Sequence, residues 1–128
     1  MAGTDTTTHG SKTAAISNMV VRLTSQYTGR GPTKARTYIN EDLVTVVMQD
    51  TLTKAERTLV AHDCSELVLT TRRIFQDTME ADLVAGLREI LDREVVAFLS
   101  ANHADPDYAV ETFILAPKAM SALSVLDG

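Results

Sequence analysis

From Ala14 the apolar side chains fall at Ile16, Met19, Val20, Leu23 and Tyr27, spacings of three, one, three and four that lie along one helical stripe. This predicts a first helix ending near Gly29. The stretches "ARTYIN" and "DLVTVVMQ" then turn to β-branched residues in alternation, with "NED" between them. They predict a hairpin whose second strand presents Val44, Val46 and Met48 on one face and Leu43, Thr45 and Val47 on the other.

"LTKAERTL" carries a helix-start signal. Thr53 can accept from the backbone N–H three residues on, while Glu56 reaches back to the Thr53 N–H. The helical register continues through Leu67, Ile74, Phe75, Met79, Leu83, Leu87, Ile90 and Leu91, so a long helix is expected to run to about Asp92. At "AHDCSE" it either continues or restarts, with Asp63 and Ser65 available as caps. "REVVAFLSAN" and "YAVETFILA" predict a second strand pair joined by the turn "HADPD".

The order α-β-β-α-(α)-β-β predicts an α+β fold, a four-stranded antiparallel sheet with its helices packed on one face. Residues 1–13, rich in Thr and small polar side chains, read as a disordered N-terminal arm. Residues 14–116 form the single domain, and 117–128 a tail able to make a short helix that lays Met120, Leu123 and Leu126 on the body. Arg30 and Arg93 each precede a hairpin, a weak hint of duplication. Two strands are apolar on both faces, unusual for a half-solvated antiparallel sheet, so a second copy is expected over the open face or against the long helix.

Composition narrows the function. The 128 residues suit one domain, and aromatic content of 5% with no Trp implies an aliphatic core without stacking platforms. A net charge of −5 without a long basic run disfavours nucleic acid as a partner. The lone Cys64 excludes an internal disulfide and suits a reducing compartment. With no stretch near the ~20 apolar residues of a membrane helix and no signal-peptide pattern, a cytoplasmic protein that does not insert into the membrane is expected.

The candidate site is the loop "YTGRGPTKAR". As local structure, Gly29 caps the helix in the left-handed conformation and Pro32 prevents its continuation. As a site, the N–H groups around Gly29 and Gly31, with Arg30, Lys34 and Arg36, could cradle a carboxylate, bicarbonate or phosphate, or meet a partner. The loop lacks the features of a P-loop or a dinucleotide fingerprint, and the local account is preferred. Of the adjacent Arg72 and Arg73, at most one can face the sheet, and a buried one would require a carboxylate or anion. A solvated pair, helped by Asp77 and Glu66, is preferred. Glu56 is accounted for by capping. His62 and Cys64 have no ligand-spaced companions, and Asp105 and Asp107 bracket Pro106 too irregularly for a calcium loop. No catalytic residue, metal ligand or cofactor is assigned.

The ordered marks Gly29-Arg30-Gly31-Pro32, Leu52-Thr53 with Glu56 and Leu59, Arg72 to Phe75, Val95 to Leu99 and Phe113-Ile114-Leu115 resemble the MpsC-like family of a sodium-translocating membrane-potential-generating system. They span roughly Ala14 to Leu115. Asp92-Arg93-Glu94 departs from the glycine usual in the family before the third strand. Family members can hold two such domains where this chain has one, which makes a homodimer a natural substitute. The resemblance implies a soluble component of a membrane ion or inorganic-carbon system and supplies no catalytic residues. The expected function is a non-enzymatic, dimeric, cytoplasmic accessory or regulatory module with a membrane-system protein partner and a small-anion loop. The alternatives are a small-molecule-binding enzyme and a purely structural oligomerisation domain.

Overall fold

A computed structural model describes residues 2–117, with side chains described from Gly10 onward. The elements are α1 (Ala2–Thr28), β1 (Lys34–Asn40), β2 (Leu43–Gln49), α2 (Lys54–Ala61), α3 (Ser65–Leu91), β3 (Val95–His103) and β4 (Tyr108–Leu115). The expected α+β architecture with its four-stranded antiparallel sheet is present. The strand order is β1-β2-β4-β3, so the two hairpins meet through their second strands.

Strand alternation decides which side is covered. Val44, Val46 and Met48 of β2 and Ala109, Phe113 and Leu115 of β4 are buried beneath the helices. Phe98 of β3 packs on Phe113 with ring centroids 5.1 Å apart. α1 lies over β1 and β2, and α3 lies beside it over β3. From α1, Ile16, Met19, Val20 and Leu23 enter the core as the apolar stripe predicts, and from α3 Met79, Leu83, Leu87 and Leu91 do so. The helices approach closely where Met19 crosses Gly86: a Cβ built at Gly86 would stand 2.8 Å from the Met19 side chain. Tyr27 donates a 2.6 Å hydrogen bond to Asp82, joining α1 and α3 at the surface.

Three details differ from the sequence expectations. The backbone of α1 is helical from Ala2, across the stretch expected to be a disordered arm. Once Ala14–Thr28 is held by packing, extending a helix avoids the cost of nucleation. At "AHDCSE" the helix restarts, one of the two expected courses, with Asp63 at a φ of 62°; the difference is in the cap, because Cys64 starts α3 without a side-chain cap and neither Asp63 nor Ser65 serves. Cys64 is only partly buried at this junction. In α3 the buried row is Val68, Arg72, Gln76, Met79, Leu83, Leu87 and Leu91, and it leaves Leu67 and Ile74 exposed. The docking tail expected beyond Pro117 lies outside the described residues.

Candidate functional site

The segment Asp50–Thr53, between β2 and α2, collects most of the polar contacts at one end of the sheet. Asp50 has a φ of 59° and turns the chain out of β2. Its carboxylate accepts from Arg30 at 2.6 Å and from Arg57 at 3.4 Å. The Arg30 hydrogen bond chiefly holds Asp50 below the usual carboxylate range, against a smaller opposing effect of burial. The Thr51 hydroxyl donates to Asp107 at 2.9 Å, and the Leu52 N–H donates to the other Asp107 oxygen at 2.9 Å. Asp107 is therefore more than a turn former: it anchors this segment to the β3–β4 turn.

Thr53 caps α2 with both halves of the predicted capping box. Its hydroxyl accepts from the Glu56 N–H at 3.2 Å, and the Glu56 carboxylate accepts from the Thr53 N–H at 2.8 Å. The same carboxylate also holds Arg72, whose Nε lies 2.9 Å from Oε2 and whose Nη2 lies 2.6 Å from Oε1. Arg72 Nη2 further donates to the Thr51 carbonyl at 2.5 Å. Arg72 is 4% exposed. The preferred solvated reading of the arginine pair is therefore corrected: Arg73 is exposed, but Arg72 is buried and paired because its helix register coincides with Val68, Gln76 and Met79. Burial pushes Glu56 upward, while the Arg72 and Thr53 hydrogen bonds outweigh it and leave the group below the usual range.

A second polar cluster lies deeper, between α3 and the sheet. Glu111 is 1% exposed and has the strand parity of Ala109 and Phe113. Gln76 donates to it at 3.3 Å and exchanges a reciprocal amide pair with Asn102, at 3.2 and 2.8 Å. Burial pushes Glu111 up to about 7, with the neighbouring Ser100 hydroxyl and the Arg72 charge pulling the other way. The cavity beside it, bordered by Thr24, Met48 and Arg72, measures about 10 Å³. That is room for about one water and for no organic substrate.

The five loop residues do not converge on one pocket. Gly29, with a φ of 82°, caps α1 as expected, and its N–H donates to the Ser25 carbonyl at 2.9 Å. The Arg30 N–H is directed to the Thr28 hydroxyl at 3.3 Å, and its Nε donates to the Asp50 carbonyl at 3.2 Å. Gly31 has ordinary room for a side chain beside Ser25 and Val21. Lys34 and Arg36 stand on the open face of β1, where they line a shallow groove with Tyr38, Val47 and Gln49.

Sequence reasoning passed over Asp50, Gln76, Asn102 and Glu111, and read Asp107 only as a turn residue and rejected calcium ligand, without its anchoring contacts. For Gln76 and Glu111 the signal was the parity of polar residues within buried rows. For Asp50 and Asp107 it was absent, because their partners lie on other elements.

Among the described residues no helix is long and apolar enough to cross a membrane, and no group of three or more His, Cys, Asp or Glu side chains is arranged to hold a metal ion. No curated protein and no solved structure gives a significant match to the chain. The family model described as Na+-translocating membrane potential-generating system (MpsC) matches residues 8–117, from within α1 to the last described residue, two beyond β4. The chain belongs to the MpsC family.

Proposed function

We propose that this chain is a non-enzymatic accessory or regulatory module of a Na+-translocating membrane system, working in the cytoplasm as a homodimer. The family supplies the system. The observation that carries the module reading is the sheet's second face, over which no described element packs and on which Tyr38, Leu43, Leu99 and Tyr108 are exposed. A surface of this kind is suited to association. The polar clusters fit the same reading, because their best-formed contacts bind the fold to itself: Arg72 to Glu56, Arg30 to Asp50, and Asp107 to Thr51 and Leu52.

The loop Gly29–Gly31, with Lys34 and Arg36, is proposed as a small-anion or partner-carboxylate site, since Arg30 already engages one carboxylate at the surface. The reading is tested by deleting the gene and measuring Na+-dependent membrane potential with a voltage-sensitive dye. A lower potential, restored by the wild-type chain, is expected. An unchanged potential would remove the accessory role. For the dimer, light scattering should give twice the 13.9 kDa of one chain.

A further inference from the structure

The rows of the open sheet face follow from strand register. One end carries Lys34, Gln49, Tyr108 and His103; the next row carries Arg36, Val47, Val110 and Ala101. Tyr38, Thr45, Thr112 and Leu99 follow, and Asn40, Leu43, Ile114 and Ala97 complete the face. Among all strand residues the only carboxylate is Glu111, and it lies on the core side. In a chain of net charge −5, this face therefore carries no acid, and its cations are confined to one corner.

The outer side of α3 is the rival surface, since Leu67 and Ile74 are exposed there, at 57% and 61%. They stand among five exposed carboxylates, Glu66, Asp77, Glu80, Asp82 and Glu89, against the exposed Arg73 and Arg88. Two copies meeting through α3 would oppose like charges. Two copies meeting through their sheets would keep those acids a helical layer and a sheet away on each side, beyond a screening length of ~8–10 Å. Covering the middle of the sheet buries no carboxylate and leaves the two cations, Lys34 and Arg36, at the edge.

Resting on the dimer reading above, we infer that two copies of this chain pair face to face through the open side of the sheet, and that α3 stays outward. The area is of the right order. Four strands ~4.8 Å apart, with about seven residues each rising ~3.4 Å, span ~450 Å² of plane. Two such faces span ~900 Å² of plane, and side-chain relief raises the accessible area further toward the ~1,200 Å² at which stable interfaces begin. Lys34 and Arg36, at one corner, stay at the solvent-accessible rim of such a pair, and one charge in the middle of the face should break it.

The test is light scattering on the wild-type chain, Leu99→Glu, Tyr38→Glu and Ile74→Glu, with circular dichroism to verify folding. Leu99 and Tyr38 are 56% and 53% exposed, so a carboxylate there remains compatible with the fold. A dimeric wild type, monomeric sheet variants and a dimeric Ile74→Glu are expected. A second readout is independent of destabilisation: Thr112→Cys in a Cys64→Ala chain, placed mid-face next to Thr45, should oxidise to a disulfide-linked dimer. A dimer that survives both sheet substitutions, gives no cross-link in the Thr112→Cys chain and dissociates with Ile74→Glu would overturn the face while leaving the dimer intact. A monomeric wild type at 100 µM would overturn both, and its sedimentation with phosphatidylglycerol vesicles would give the face to a membrane instead.

Discussion

Glu56 and Arg72, sixteen residues apart, share one carboxylate between two tasks. Its oxygens receive both Nε and Nη2 of Arg72, at 2.9 and 2.6 Å, while Oε1 also closes the capping box on Thr53 at 2.8 Å. The start of α2 and the orientation of α3 are thus set by the same group. Their side chains are 14% and 5% exposed, so the charges are held away from bulk water and depend on each other.

Removing one partner should therefore cost more than removing both. Arg72→Ala is expected to destabilise the fold by about 3–5 kcal/mol. Arg72→Lys should recover only part of this, because an ammonium cannot reproduce the two-nitrogen fork. The double variant Glu56→Gln, Arg72→Met should be more stable than Arg72→Ala. Urea unfolding measures all three, and a double variant that is the least stable would refute the coupling.

Glu111 makes stability depend on pH. Its folded-state value of about 7 lies above the ordinary 4.5, so folding disfavours the ionised form. Its contribution is full below about pH 4.5, is lost as pH rises to about 7, and stays lost above that. Glu111→Gln should thus be more stable than wild type at pH 8, by about 3 kcal/mol, and should differ little at pH 5. An equal effect at both pH values would show that the carboxylate does not titrate in this window. Glu56, held low, acts oppositely, and its contribution is lost as pH falls below the usual carboxylate range.

At the α1–α3 crossing, Gly86 faces Met19 at a distance that a methyl group cannot share. Gly86→Ala should destabilise the wild type, although alanine favours a helix interior by about 1 kcal/mol. In a Met19→Ala chain, itself weakened by about 2–5 kcal/mol, the same substitution should become stabilising. A thermal-denaturation cycle measures the reversal; the same sign in both backgrounds would mean that the helices do not meet there.

For the loop, phosphate or bicarbonate at millimolar concentration is expected to raise the melting temperature, with the increase lost in Arg30→Ala. Any such anion competes with Asp50 for Arg30, so Asp50→Asn should enlarge the increase. Scanning fluorimetry of the three proteins decides it. No shift in either the wild type or Asp50→Asn would leave Arg30 a clamp on the end of β2.

Local pattern alone determined the element order, the capping box at Thr53, the left-handed stop at Gly29 and the buried face of β2. Each depends on residues within a few positions of one another, and their preferences coincide with the packed state. The apolar marks in α3 misled at Leu67 and Ile74, because hydrophobicity shows what can be buried and not which stripe meets the sheet. Tertiary structure decided that stripe, and with it that Arg72 goes inward to Glu56 and Gln76 to Glu111 and Asn102. It also decided that Arg30 reaches Asp50 across the loop, and that β4 lies beside β2, giving a sheet face without acids and with no described element packed over it. These partners come from elements far apart in the chain, so their pairing follows from packing and not from spacing.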